Sequence, residues 1–106
     1  MGNSLSLMLE KIRSKFLLEL AERSSLLDQA YQNLKTISPR TTALMDISKI
    51  AHKIAGTAGM LGFVELGNQA ALAEELIRHY SLGGKVDENA LRSNITKLID
   101  LMRSAE

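Results

Sequence analysis

Apolar residues recur at intervals of three and four along most of the chain, rather than at intervals of two. This spacing is that of one face of an α-helix, so the pattern predicts an all-α protein. Helix-breaking residues are sparse, because the only proline is Pro39 and the glycines other than Gly2 cluster at 56–67 and 83–84. The elements between these breaks are therefore expected to be long helices.

The first amphipathic segment is predicted to run from about Asn3 to Leu34. The pattern does not decide whether this segment breaks near Arg23–Ser25 or whether an extra short N-terminal helix precedes the bundle. A loop is expected at residues 35–39, because a residue before proline disfavours the α region and proline suits the first turn of a helix. The second helix should start near Pro39–Thr42. The apolar stripe of the first segment comprises Leu5, Met8, Ile12, Phe16, Leu20, Leu27, Ala30, Tyr31 and Leu34.

The second helix has the most regular apolar pattern in the chain and is expected to end at Gly62, a residue type suited to a C-cap. A third helix is predicted from about Val64 to Tyr80, followed by a turn at residues 81–85. The core stripe of the second helix is Leu44, Ile47, Ala51, Ile54, Ala58 and Leu61. The buried positions of the third helix are expected to be Leu66, Ala70, Ala73, Leu76, Ile77 and Tyr80.

A last helix is predicted up to about Ser104, with Asp87 as its N-cap. Its inner seam consists of Leu91, Ile95, Leu98 and Met102. Four amphipathic segments joined by short loops are typical of an antiparallel, up-down four-helix bundle. We expect this bundle to form one domain over residues 1–106.

Composition narrows the possible functions. The chain has 106 residues, of which 45% are hydrophobic and 24% charged, as in an ordinary soluble domain. Thirteen basic and twelve acidic residues give a net charge of +1, too balanced for the basic surface typical of nucleic-acid binding. No stretch approaches the roughly 20 apolar residues of a membrane span. The absence of cysteine fits a reducing compartment, so the cytoplasm is expected.

The face of the second helix opposite its core stripe has an unusual composition. Glycine inside a helix costs about 1 kcal/mol relative to alanine, so two glycines on an exposed face suggest that another molecule approaches there. Gly56 and Gly59 lie about one and two turns beyond His52 and would clear the surface next to its ring. Met45 and Met60, on the rim of this face, are apolar and adaptable, as befits a surface that docks another protein.

The second helix also places positive charge beside its histidine. Lys49 and Lys53 flank His52, and no carboxylate is in reach of it along the helix. An exposed neutral imidazole with basic neighbours can attack a phosphoryl group, with the lysines offsetting the transferred charge. His79, beside Arg78 near the end of the third helix, is interpreted as structural. Neither histidine has a partner at metal-binding spacing, so no metal site is predicted.

The run from Ala51 to Phe63, AHKIAGTAGMLGF, resembles the signature of histidine-containing phosphotransfer (HPt) domains, whose usual form is A-H-x-L-K-G-x-x-x-x-L-G. A looser resemblance extends over about residues 16–102. The family usually carries lysine three residues after the histidine, where this chain has Ala55, so Lys53 or Lys49 would supply the charge instead. The residues that match in register are Ala51, His52, Gly56, Leu61 and Gly62, and Ile54 is a conservative match.

The resemblance implies a four-helix bundle core, a phosphorylated histidine at His52, and receiver domains of response regulators as partners. Each receiver would bring its own aspartate and Mg²⁺, so no intrinsic cofactor is expected. The implied function is that of a phosphoryl carrier in a two-component phosphorelay, served by a sensor or hybrid histidine kinase and without turnover of its own.

Two alternatives to the phosphoryl carrier stay open. One is a helical docking module that binds or inhibits a receiver or sensor kinase without being phosphorylated. The other is the dimerisation and phosphoacceptor domain of a sensor kinase, in which two chains form one bundle. Four helical segments in one short chain favour a monomer over such a dimer of hairpins.

Overall fold

The computed structural model describes residues 2–36 and 40–105, which form four α-helices and no strand. Each helix packs against the next one along the chain, and the first also packs against the last, so that the bundle closes on itself. The predicted all-α, antiparallel, up-down four-helix bundle is confirmed. The helices are α1 (Gly2–Thr36), α2 (Arg40–Ala58), α3 (Val64–Ser81) and α4 (Glu88–Ala105).

Helix α1 is uninterrupted over 35 residues, so it contains neither the break near Arg23–Ser25 nor the extra short N-terminal helix that the sequence left open. The serines fit inside the helix, because the hydroxyl groups of Ser24 and Ser25 donate hydrogen bonds to the carbonyl of Ala21 at 3.0 and 3.4 Å. Lys35 and Thr36, which were expected in the loop at residues 35–39, belong to α1. Residues 37–39, with the predicted helix-starting Pro39, lie outside the described residues.

The apolar stripe of α1 is buried only from Phe16 onward. Leu5, Met8 and Ile12, which were expected to join it, are 61%, 58% and 42% exposed. The reason is length, because α1 has 35 residues while the other helices have 18 or 19. At 1.5 Å of rise per residue, the N-terminal part of α1 extends past the ends of the shorter helices.

The core confirms the remaining predicted stripes, with small differences. Tyr31, Leu76 and Tyr80 are half-buried rather than buried, and Ile99 of α4 joins the core. The buried apolar residues are Phe16, Leu20, Leu27, Ala30, Leu34, Ala43, Leu44, Ile47, Ala51, Ile54, Ala58, Leu61, Leu66, Ala70, Ala73, Ile77, Leu91, Ile95, Leu98, Ile99 and Met102.

Helix α2 ends at Ala58, four residues before the predicted end at Gly62. The chain turns immediately after it, since the backbone N–H of Phe63 donates to the carbonyl of Ala58 at 2.8 Å. Gly62 has a φ of +93°, a left-handed conformation that glycine adopts readily. Arg13 of α1 stabilises this turn, because its Nη2 donates a hydrogen bond of 2.9 Å to the carbonyl of Leu61.

Gly67 allows the first turn of α3 to lie against the end of α2. A Cβ atom at this position would lie 3.1 Å from the backbone nitrogen of Gly59 and 3.6 Å from the Cβ of Ala58. The absence of a side chain at Gly67 therefore permits the close approach of the two helices that carry the candidate site.

The opposite end of the bundle is joined by polar contacts. Asp87 caps α4 as predicted, because its Oδ1 accepts a hydrogen bond of 3.0 Å from the backbone N–H of Asn89. Arg40, at the start of α2, forms an ion pair with Glu88, at the start of α4. The hydrogen bond from the Arg40 guanidinium, more than its charge alone, lowers the pKa of the Glu88 carboxyl below its usual range.

This ion pair predicts a pH-dependent stability difference. Because the pKa of Glu88 is lower in the folded than in the unfolded state, its contribution is present above the unfolded pKa of about 4.3 and is lost as the pH falls through the folded pKa. Glu88→Gln should lower the unfolding free energy at neutral pH by at most about 1 kcal/mol, since the pair is partly exposed. Thermal unfolding followed by circular dichroism should show this difference shrinking in acid. Glu22→Gln on α1 is the control, and a difference that persists or widens in acid would contradict the assignment.

Candidate functional site

Helix α2 turns His52 away from the bundle. Ala51, Ile54 and Ala58 are fully buried, so the helical periodicity directs the side chain at position 52 to the outer face. The imidazole is 75% exposed. A ring in this position is accessible to another molecule while its backbone is held by the core.

Glu74 of α3 holds one nitrogen of the ring. Its Oε2 lies 2.6 Å from Nδ1 of His52, and its side chain is one-third exposed. A carboxylate can only accept a hydrogen bond, so in the neutral ring this contact assigns the proton to Nδ1 and leaves the lone pair on Nε2. The contact therefore orients the ring and leaves Nε2 as its nucleophilic atom.

The contact with Glu74 was missed because only carboxylates along α2 were considered. His52 and Glu74 are 22 residues apart, with Phe63 midway between them. In an antiparallel hairpin, residues at equal distances from the turn lie opposite each other. Counting outward from the predicted turn between the two helices could therefore have found Glu74.

A groove between α2 and α3 runs past His52 on the side of Glu74. Met45, which was predicted to contribute to docking, is exposed and lines this groove together with His52. Arg78 is the only arginine or lysine among the described residues that line it. The lining residues are Thr41, Met45, Ser48, His52, Glu74, Glu75, Ile77, Arg78 and Ser81.

The two lysines predicted to flank the histidine lie away from this groove. Lys49 lines a different groove, between α2 and α1, which it shares with Asn33 and Asp46. Lys53 is exposed, but one residue of helix turns its side chain by about 100° from that of His52. The structure therefore does not bring either lysine to the Glu74 side of the ring.

The outer surface of α2 beyond His52 is open. Cβ atoms built at Gly56 and Gly59 would meet no atom within 4 Å, leaving aside the helix's own backbone. Met60, predicted as a second docking methionine, is exposed but lines a third groove with Leu9 and Arg13 of α1. The glycines thus lie beside His52, whereas Met60 lies toward the N-terminal part of α1.

The second histidine has a similar exposure but different surroundings. His79 lies near the end of α3, with Nε2 at 3.2 Å from Oε1 of Glu75. Arg78 also pairs with this carboxylate, so the three side chains form an ion-pair cluster on the surface of one helix. Within residues 2–36 and 40–105, no three His, Asp or Glu side chains lie close enough together to hold a metal ion. No helix in the same residues is long and apolar enough to cross a membrane.

Comparison with protein families gives one result. A family model described as Hpt domain matches residues 11–105. The matched range includes α2, α3 and the groove between them. Comparison with curated proteins and comparison with solved structures each gave no match.

Alanine substitutions at two glycines of this region are expected to change the unfolding free energy in opposite directions. Gly56→Ala should raise the unfolding free energy by up to about 1 kcal/mol, because alanine is the better helix former and its methyl group meets open space. Gly67→Ala is the matched substitution at a closed position. It should lower the unfolding free energy by about 1 kcal/mol, since overpacking against the backbone of Gly59 outweighs the gain in helix propensity. Denaturant unfolding of the two variants measures both values, and a destabilised Gly56→Ala protein would refute the open surface.

Proposed function

The chain belongs to the Hpt domain family, and we propose that it carries a phosphoryl group on His52 between receiver-domain aspartates of a two-component phosphorelay. Hpt domains act as histidine phosphotransfer carriers in such relays. The observation that carries the proposal for this residue is the pairing of its Nδ1 with Glu74 while the ring is largely exposed. This arrangement prepares Nε2 for attack on a phosphorus atom.

The His52 ring keeps its Nδ1 proton throughout the proposed transfer. Nε2 of His52 attacks the phosphorus of an aspartyl phosphate on the receiver, and the Nε2–P bond forms as the P–O bond to the aspartate breaks. The aspartate leaves as a carboxylate, and the ring becomes a positively charged phosphoimidazole that keeps its proton on Nδ1. The Glu74 carboxylate stabilises this charge. Onward transfer to a second receiver aspartate is the reverse reaction.

The surroundings of His52 support docking of another folded domain. The open surface at Gly56 and Gly59 allows a close approach to the ring, and Met45 offers an apolar contact at its edge. In this proposal the receiver supplies the Mg²⁺ and the catalytic aspartate, so the chain needs no cofactor and performs no turnover of its own. A sensor or hybrid histidine kinase supplies the phosphoryl group to the relay. The chain acts as a monomeric domain over residues 1–106, in the cytoplasm.

Replacement of His52 tests the site. His52→Gln should abolish phosphorylation and change the unfolding free energy by no more than about 0.5 kcal/mol, because the side chain is exposed. The measurement is incubation with phosphoramidate, or with a phosphorylated receiver, followed by mass spectrometry under alkaline conditions. His79→Gln is the matched control, since His79 is also exposed and also contacts a glutamate. Phosphate retained in His52→Gln would overturn the site. A wild-type protein that binds receivers without being phosphorylated would instead indicate a docking module.

Replacement of Glu74 tests how the ring is activated. Glu74→Gln keeps a hydrogen-bonding side chain but removes the charge that stabilises the phosphorylated ring, so it should slow acceptance at least about tenfold. Glu65→Gln, at an exposed carboxylate on the same helix that does not line this groove, is the control. Initial rates of phosphorylation by phosphoramidate make the comparison without a partner protein. Equal rates for Glu74→Gln and the wild type would contradict the role of this carboxylate.

A further inference from the structure

The groove beside His52 has an unfavourable charge for a phosphoryl group. Two of its lining residues, Glu74 and Glu75, are carboxylates. The position three residues after His52 is Ala55, which is half-buried and packs against the core. A doubly charged phosphoryl group on Nε2 would therefore lie beside a groove that carries two carboxylates, and Ala55 supplies no cation to offset its charge.

Arg78 is the basic side chain that shares this groove with His52 and Glu74, among the residues that the structure describes. It lies one turn beyond Glu74 on α3, and its side chain is 59% exposed. Lys49 and Lys53 belong to other parts of the α2 surface, as described above. Arg78 is therefore the cation that lines the same groove as the exposed ring.

Arg78 is also free to change partners. Its guanidinium pairs with Glu75 on the same helix, with Nε at 3.2 Å from Oε2. Both side chains of this pair are about half exposed, so water competes for the interaction and exchange of partners costs little. A guanidinium presents several hydrogen-bond donors in one plane. These donors can bind two oxygens of a phosphoryl group at the same time.

We propose that Arg78 is the cation that offsets the charge of the phosphoryl group on His52, by moving its guanidinium from Glu75 to the phosphoryl oxygens. The proposal rests on the proposed function, because it requires phosphorylated His52. The positive charge that offsets the phosphoryl group then comes from α3. In the usual family signature, this charge comes from a lysine on the same helix as the histidine. Arg78 then contacts the transferred group directly, while Glu74 contacts the opposite nitrogen of the ring.

The test compares phosphorylated variants by ³¹P NMR. The full chain is phosphorylated with phosphoramidate, and the resonance of phosphohistidine is followed from mildly acidic to mildly alkaline pH. A nearby cation favours the fully ionised phosphoryl group, so Arg78→Gln should move the titration midpoint to higher pH. It should also lower the extent of His52 phosphorylation about tenfold, as expected for loss of one hydrogen bond between charged groups. Arg78→Lys should restore the midpoint at least in part.

The controls separate this proposal from the proposed function. Arg92→Gln removes an exposed arginine that also pairs with a glutamate on its own helix, and should leave the midpoint unchanged. A wild-type protein without phosphate on His52 would overturn the proposed function itself. Phosphorylated His52 with the same midpoint in Arg78→Gln and the wild type, or with a midpoint that moves in Lys49→Gln or Lys53→Gln instead, would overturn only the role of Arg78.

Discussion

Burial of the apolar stripe of α2 is the constraint on which the rest of the site depends. Ala51, Ile54 and Ala58 must face the core, and one residue of helix corresponds to about 100° of rotation. The burial of these three residues therefore directs the side chain of His52 outward, although His52 itself takes no part in the core. The same constraint leaves Gly56 on the outer surface, where a small residue has no packing function to perform. The stability of the bundle and the exposure of the ring thus have a common origin.

The packing of α3 on α2 determines which nitrogen of the His52 ring carries the proton. A ring on a helix surface has two nitrogens, and the surface of α2 alone does not distinguish them. The close approach allowed by Gly67 brings Glu74 against Nδ1, so the tautomer follows from the packing of two helices. The two sides of α2 carry different charged groups. The groove toward α3 has Glu74, Glu75 and Arg78, while the groove toward α1 has Lys49 and Asp46.

Local pattern predicted the helices and their inward faces, because apolar periodicity determines which side of each helix can be buried. It failed for Leu5, Met8 and Ile12, since their burial depends on the lengths of the neighbouring helices and not on their own spacing. It left the continuity of the helix undecided at residues 23–25, where serine hydroxyls bond to the helix backbone and do not end the helix. The candidate histidine could be predicted because glycines and a signature surround it in sequence. Glu74 and Arg78 carry no such local signal, because their relation to His52 arises when α3 packs on α2. Only the pairing of positions across the predicted turn could have pointed to Glu74.

The central claim is that Glu74 holds the ring of His52 with its proton on Nδ1, so that Nε2 is the atom that accepts phosphorus. Long-range ¹H–¹⁵N correlation NMR of ¹⁵N-labelled protein at mildly alkaline pH distinguishes the two ring nitrogens directly. We predict a protonated Nδ1 and an unprotonated Nε2 for His52, and phosphorus bonded to Nε2 after treatment with phosphoramidate. A ring protonated on Nε2, or phosphorus bonded to Nδ1, would contradict this account.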